Sequence, residues 1–466
     1  MSVLLFKDSS RCVEALGVGA AKLAVSAAVL ALGFRAVSDD DYARLVIAQR
    51  FAESPSLDPS GTSWLPLPFW MYGAAFALFG NDLAVARGVA LLLGALSVVG
   101  VWWAARLLGA GRAGALVAGI LAAVFPWSAW LGAAPVPEAP TAGLLVVGLA
   151  TLPAESLRVR AAGAGAVAAA CFCRYEAWPV ALVVAGFALA DARRTRSREL
   201  LAVAAMALAP VALWLFHGVA RHGDAFFFVR RVAAYRNALG ASEPLVTRVL
   251  GPIRSLFREA PEVVVPLVIG LARTGLPASF RRPLAGATAL VAFLMLGELG
   301  GGGPTHHAAR ALLPVWFLAA AMVGQVAERW SRAPAGPLGV VLAGALVLLA
   351  LRAPYPSDFA DRHDALTIGE SARKLDAPAL LVDTPDYAHL AVTAAYGNPS
   401  RAAPFDDRDP RKPRPPDPFV SAASLSARVR TSRRAWLVVT RTHVPVAREL
   451  GVERAANASF SLIEPR

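Results

Sequence analysis

The stretch Val37-Ser38-Asp39-Asp40-Asp41-Tyr42-Ala43-Arg44 decides how this chain is read. It sets three consecutive carboxylates directly after the first apolar segment, at about residues 13–37. Carboxylates at the mouth of a membrane helix must face water or a polar cavity, because burying them in lipid is costly. The run is therefore placed to act on a substrate at a membrane surface.

The rest of the chain supports a membrane setting. Of 466 residues, 56% are hydrophobic, and mean hydropathy is +0.51, which soluble domains rarely reach. Further apolar windows fall at about 84–107, 113–131, 138–153, 161–175, 177–190, 200–217, 261–273, 284–299, 310–327 and 336–353. With the first, these predict about eleven transmembrane helices and an all-α polytopic membrane protein. Lys22, inside the first window, is expected to snorkel to the inner interface. Lys7 and Arg11 ahead of that window fit a retained signal anchor, since many spans follow.

The net charge of +13 raises the question of nucleic acid. The basic residues sit in short loops between apolar windows, and no basic–aromatic module is visible, so no nucleic-acid partner is expected. Arg106 with Arg112, Arg158 with Arg160, Arg193 to Arg198, Arg273 with Arg281 and Arg282, and Arg329 with Arg332 all fall on one side. The positive-inside rule makes that side cytoplasmic, with the N-terminus inside and the C-terminus outside. The acidic run, the Pro135–Pro140 corner and the Gly300–Gly303 loop then lie outside.

Between the first two windows, Leu45, Val46, Ile47 and Phe51 recur on a helical period, and the stretch from Trp64 to Gly80 is rich in aromatics. Both read as interfacial helices of the first outer loop. Residues 218–260, with Phe226-Phe227-Phe228 and four nearby cationic or phenolic side chains (Arg230, Arg231, Tyr235, Arg236), read as a basic–aromatic outer loop. The long apolar runs end at 353. Strands at Ala379–Val382 and Ala435–Thr440, a helix at Tyr387–Ala395 and a Pro404–Pro418 connector predict a small extracytoplasmic α/β domain over 354–466. Residues 1–353 form the transmembrane domain in this reading.

A carboxylate within hydrogen-bond reach of a hydroxyl can act as a general base. Adjacent carboxylates also perturb one another's protonation, which suits Asp39, Asp40 and Asp41 to that work. Hard cations prefer such oxygens, so Asp40 and Asp41 are also candidate ligands of a divalent metal ion. Glu138 at the Pro-rich corner, Arg174, Tyr175 and Glu176 within an apolar stretch, and His306, His307 and Arg310 ahead of Leu312-Leu313-Pro314 stand at outer helix ends. Each has a plainer reading as a helix-end charge or an interfacial ion pair. Arg310 can grip phosphate oxygens with its planar fork, and Arg87 can bind a donor or simply terminate a helix. Adjacent histidines do not share a helix face and argue poorly for metal. Cys12, Cys171 and Cys173 read as small apolar residues, and Asn457-Ala458-Ser459 is a short glycosylation-type match.

Taken in order, these motifs resemble the GT-C superfamily of integral-membrane glycosyltransferases, which includes protein O-mannosyltransferases and the lipid A aminoarabinose transferase. Those enzymes open with one span and an outer loop beginning Asp-Glu, to which Asp40-Asp41 is similar, with Asp41 in the Glu position. Trp64 and Pro66, Phe79-Gly80 and Arg87 resemble the run into the family's second span. Glu138 resembles its second-loop acid, and His307-x-x-Arg310-x-Leu312-Leu313-Pro314 a late His-x-x-Arg-x-Leu-Leu-Pro motif, in which Ala311 replaces the usual Tyr. The resemblance covers about 1–353 and implies a polyprenyl-phosphate-sugar donor used at the outer face. It implies inverting transfer to a hydroxyl of a glycolipid, polysaccharide or protein; the many Ala, Gly and Arg residues and the absence of eukaryotic sorting signals point to a bacterial plasma membrane. By the same resemblance Asp40 is the base, Asp41 or Asp39 orients the acceptor, and Arg310 holds the lipid phosphate. Arg44, Arg87, Glu138, Arg174, Glu176 and His307 line the substrate or donor site. A transporter or flippase, a polysaccharide ligase or polymerase, and a non-catalytic scaffold are the alternatives. A transporter would place charges at mid-membrane rather than at outer helix ends.

Overall fold

The structure is a computed structural model that describes residues 9–240, 244–299, 307–330, 339, 343–344, 347, 359–430, 432 and 435–466. The chain forms two compact units, each treated by itself below. One draws on Met1–Phe34, Gly61–Leu67 and Ala90–Pro356, the other on Arg35–Ser60, Pro68–Val89 and Ser357–Arg466.

The first half of the chain is helical where the apolar windows predict it. Helices α1 (Ser9–Ala31), α2 (Asp39–Glu53), α3 (Leu67–Phe79) and α4 (Leu83–Leu107) follow in order. The window at 113–131 is broken into α5 (Arg112–Val124) and α6 (Pro126–Leu131). Phe125 leaves helical geometry, at φ −67° and ψ 144°, because the proline that follows disfavours the α region and lacks an N–H. Then come α7 (Glu138–Ala150), α8 (Leu157–Cys171), α9 (Ala177–Thr195) and α10 (Glu199–His222).

The segment 218–260, read as an outer loop, is largely helical. Most of that segment folds as α11 (Phe227–Leu239) and α12 (Leu245–Arg258). One of its charges is held inside: Arg236 donates to Glu298 at 2.7 Å, while Arg230, Arg231, Arg254 and Arg258 are exposed. Helices α13 (Pro261–Thr274), α14 (Arg281–Leu299) and α15 (Leu313–Trp330) complete the series. The windows at 336–353 and Gly300–Gly303, with His306, lie outside the described residues or nearly so.

Five described helices are long and apolar enough to cross a membrane, and α3, α5 and α7 are apolar but shorter. A helix of 13 residues such as α5 or α7 reaches only about 20 Å, short of a hydrocarbon core of about 30 Å. The predicted count of about eleven spans is therefore not confirmed among the described residues.

Within the first unit α15 is the central helix. Of its candidate span 89% is buried, against 28–39% in the other four. Gly324 on α15 and Gly114 on α5 meet backbone to backbone, so a Cβ on either would collide with the other's main chain. Small residues let membrane helices approach this closely. Glu328 accepts the backbone N–H groups of Gly111 and Gly114, each at 2.6 Å, and so caps the start of α5 where the helix dipole favours an anion.

Two of the basic loop residues meet one carboxylate. Arg282 grips Asp191 through both terminal nitrogens at 2.7 and 2.8 Å, and Arg160 reaches the same carboxylate at 2.9 Å. Ser279 and Gln325 both donate to the carbonyl of Leu108. Lys22 is the exception to its prediction. It is buried, and its ammonium donates to the Ser128 carbonyl in α6, so it does not snorkel.

The second unit carries a five-stranded sheet of β1 (Leu380–Val382), β2 (Ala402–Pro404), β3 (Trp436–Thr440), β4 (Gly451–Ala456) and β5 (Phe460–Pro465). The order is β2-β1-β3-β5-β4, with β1 parallel to β2 and β3, and β5 antiparallel to β3 and β4. Helices α16 (His363–Lys374), α17 (Ala388–Tyr396), α18 (Ala422–Arg430) and α19 (Val444–Arg448) accompany it. The predicted α/β character of the C-terminal region is borne out. Its core gathers Leu381, Leu437, Val439, Leu425, Ala447 and Ile463. Helix α2 belongs to this unit: its buried Gln49 donates to the carbonyl of Ala394 on α17 at 2.9 Å.

Candidate active site

In the second unit the acidic run forms the first turn of α2. Three carboxylates there complement the positive end of the helix dipole, but they are held differently. Asp41 is fully buried and turns back on the loop that precedes it. Its Oδ2 accepts the Val37 N–H at 2.7 Å and its Oδ1 the Ser38 hydroxyl at 3.4 Å. Asp39 is gripped by Arg362, whose Nε and Nη2 donate to its two oxygens at 2.8 and 2.7 Å. The third nitrogen, Nη1, donates to Asp386 at 2.7 Å. Two opposing carboxylates hold the Arg362 pKa above its ordinary value, although burial works against this.

Asp40 is half-buried between them. Arg44 follows it by one helical turn, so the two share a face of α2 in the favourable acid-before-base order. Tyr42 is buried behind the run, and its pKa is raised first by that burial and then by the Asp41 charge. Arg87, at the start of α4, donates to the Arg35 carbonyl at 2.8 Å and so fastens the strap leading into the acidic turn. As candidate metal ligands Asp40 and Asp41 fit poorly, because the Asp41 carboxylate is turned onto Val37 and Ser38 rather than outward.

In the first unit four predicted residues converge. Glu138 at the first turn of α7 is buried, accepts a hydrogen bond from Arg174 at 2.5 Å and forms an ion pair with Arg310, whose Nε lies 3.2 Å away. Arg174 also holds Glu176 through Nε at 3.1 Å. One carboxylate thus anchors two guanidiniums that come from the α8–α9 turn and the 3-10 turn Ala308–Leu312. His307 precedes that turn with φ +45°, a left-handed geometry rare for a side chain other than glycine, and its ring lies 6.1 Å from that of Trp127. Such a conformation costs of order 1–3 kcal/mol and persists only where the surroundings fix it.

An aromatic wall that sequence reasoning missed stands beside the cluster. Tyr175 stacks on Phe228 at 4.2 Å, and its hydroxyl accepts the Trp214 indole N–H at 3.1 Å. Trp178 packs edge-on to Tyr175. The available signal is the Phe226–Phe228 run, which reads as membrane-surface chemistry, together with Trp214 inside an apolar window. The site residues therefore fall in two sets, Asp39 to Arg44 with Arg87 in one unit, and Glu138, Arg174, Glu176, His307 and Arg310 in the other.

Comparison with known proteins follows this geometry. Residues 59–217 match the family model described as dolichyl-phosphate-mannose-protein mannosyltransferase, which takes in Arg87, Glu138, Arg174 and Glu176. No curated protein matches the chain by sequence. The crystal structure of ArnT from Cupriavidus metallidurans bound to undecaprenyl phosphate is similar, with a TM-score of 0.65 at 14% identity over 96% of this chain and 97% of that one. Its apo state gives 0.58 at 14% identity, over 95% and 96% of the two chains. The Archaeoglobus fulgidus oligosaccharyltransferase in complex with Zn and sulfate gives 0.50 at 13% identity, over 96% of this chain and 73% of that one. The resemblance to the GT-C glycosyltransferases is thereby borne out, in a family segment and in the fold, and the chain is an integral membrane protein.

Proposed function

We propose that this chain, built on the GT-C fold, is a membrane glycosyltransferase that moves a sugar from a polyprenyl-phosphate-linked donor to an acceptor hydroxyl at the outer face of a bacterial plasma membrane. The observation that carries the reading is the conjunction of the mannosyltransferase-family segment at 59–217 with a likeness, over 96% of the chain, to a relative that binds undecaprenyl phosphate.

In this reaction Asp40 takes the proton of the acceptor hydroxyl. The acceptor oxygen bonds to the anomeric carbon as the bond from that carbon to the phosphate oxygen breaks. Attack from the face opposite the leaving group inverts the anomeric centre, and the polyprenyl phosphate departs with the bonding electrons. Asp41 and Asp39 act as positioning residues: Asp41 fixes the turn from Val37, and Asp39 is tied to Arg362. Arg310 holds the lipid phosphate. Its anchoring carboxylate Glu138 fixes the guanidinium before the donor arrives, which lowers the ordering cost of binding. Arg174, Glu176 and His307 shape the same donor wall, and Arg44 and Arg87 support the acidic turn. The acceptor is a glycolipid, polysaccharide or protein hydroxyl.

The test is transfer from radiolabelled polyprenyl-phosphate sugars by the purified protein in lipid nanodiscs, with membrane glycolipid extracts as acceptor. Arg310→Lys keeps the charge and loses the planar fork, so it raises the donor KM while leaving kcat close to wild type. Absence of transfer from every donor, with acceptor supply verified by a control enzyme, removes the reading.

A further inference from the structure

The C-terminal sheet contains a feature that the transfer reaction does not use. From β1 the chain moves outward to β2, then returns past β1 to form β3 on its other side. The order reverses between β1 and β3, and both strands run parallel. In open α/β sheets ligands bind in the crevice outside the carboxyl ends of the strands at such a reversal. A cavity of about 420 Å3 opens at this place. It is lined by Asp386 after β1, Thr440 at the end of β3, Ser459 and Phe460 at the start of β5, and Arg362 and Asp364 at the start of α16. Its size falls within the range of about 300–1,000 Å3 usual for small-molecule sites.

The crevice is built, not left over. Asp383 joins the two strand ends: its N–H donates to the Val438 carbonyl at 2.8 Å, and its Oδ2 accepts the Thr440 hydroxyl at 2.8 Å. The same oxygen lies 2.7 Å from His443 Nδ1, and that ring is stacked on Phe419 at 4.3 Å. Asn457 fixes the rim by accepting the N–H groups of Ser459 and Phe460 and donating to the Asp364 carbonyl at 2.7 Å.

The lining chemistry selects the ligand. Arg362 has its three nitrogens directed at Asp39 and Asp386, so its charge is already balanced by carboxylates. Asp39 alone offsets the Arg362 charge, so Asp364 and Asp386 leave the lining net negative, which disfavours an anion such as phosphate. Carboxylates accept hydrogen bonds from hydroxyls, the Ser459 and Thr440 oxygens, whose protons go to Asp364 and Asp383, can accept them too, and the Phe460 ring supplies an apolar wall. A neutral polyhydroxylated ligand satisfies all three.

We infer that the cavity at the β1/β3 reversal binds the sugar hydroxyls of a neutral glycan. That this glycan is part of the acceptor rests on the function proposed above. Arg362 then links the two tasks within one unit, since the side chain lining the cavity also holds Asp39 at the head of the acidic turn.

Isothermal titration of the full-length protein in nanodiscs with a panel of neutral disaccharides of glucose, galactose, mannose and rhamnose tests this, with no donor present. At least one member binds, and inorganic phosphate does not compete. Ser459→Tyr fills the exposed rim and weakens binding about tenfold or more at an unchanged melting curve, roughly the loss of one charged hydrogen bond. The isosteric Asp364→Asn gives the same loss and serves if the larger residue disturbs the hairpin. No binding by any disaccharide, competition by phosphate, or equal binding by both variants and wild type overturns the inference. Because no transfer is measured, a failure of the enzymatic reading leaves this result intact, and the reverse also holds.

Discussion

Replacing Arg362 with Met removes the guanidinium that ties Asp39 at the head of α2 to Asp386 after β1. The pair with Asp39 is bidentate and mostly shielded, with side-chain exposures of 22% and 21%, while Asp386 is 45% exposed. Charge-assisted hydrogen bonds contribute about 1.5–3 kcal/mol when shielded, and exposed ion pairs only about 0–1 kcal/mol. The Asp39 arm lies between these limits after solvent screening, so the coupling between Arg362 and Asp39 is about 1–2 kcal/mol. The Asp386 arm adds little, because water competes for it. A double-mutant cycle with Arg362→Met and Asp39→Asn, read by pulse proteolysis of the protein in nanodiscs, measures this coupling. Each single variant is destabilised, and the double variant is no worse than Arg362→Met alone. If the two changes add to within about 0.5 kcal/mol, the two groups do not act as a pair and the reasoning fails.

Other expectations concern charge and packing. His389 is buried, and that burial holds its pKa below the ordinary 6.5, with Asp39, Asp407 and Asp386 pulling the other way. The unfolded chain therefore takes up a proton that the folded chain refuses as pH falls below about 6.5, so the second unit loses stability on acidification, and His389→Gln flattens that slope in pH-dependent melting. Glu138→Gln leaves Arg174 and Arg310 without their shared charge and costs about 3–5 kcal/mol in folding, seen as a loss of folded yield, because a buried pair is broken rather than replaced. Gly324→Val drives a side chain into the Gly114 backbone and lowers the melting temperature, with a cost of about 1–3 kcal/mol, whereas Gly186→Val meets open space and leaves it unchanged.

How far these features are legible in the sequence depends on their length scale. Apolar periodicity finds most helices because burial of a whole face recurs over many residues, and Leu83–Leu107 is matched almost to the residue. It fails where one backbone event decides the outcome. Pro126 splits a window that hydropathy reads as continuous, and a long-range contact with the Ser128 carbonyl takes Lys22 out of its expected interfacial role. Residues 227–258 are polar enough to read as loop, yet α12 has a strongly one-sided apolar pattern that a test of helical period would have found. Carboxylates at helix ends are visible in the sequence because charge next to an apolar run is conspicuous. Their partners are not: Arg362 is 323 residues from Asp39, and nothing local in the sequence announces the pairing. The β1/β3 reversal is likewise a property of strand order, which three-residue strands such as Leu380–Val382 do not encode by themselves.

The central claim is that an acidic turn at the membrane surface takes a proton during sugar transfer from a lipid phosphate. Single-turnover transfer from a saturating polyprenyl-phosphate sugar, comparing wild type with Asp40→Asn in nanodiscs at matched melting temperature, tests it most directly. A general base contributes about 100- to 10,000-fold, so the variant binds donor normally and transfers slower by that factor. Transfer by Asp40→Asn at the wild-type rate would contradict the account.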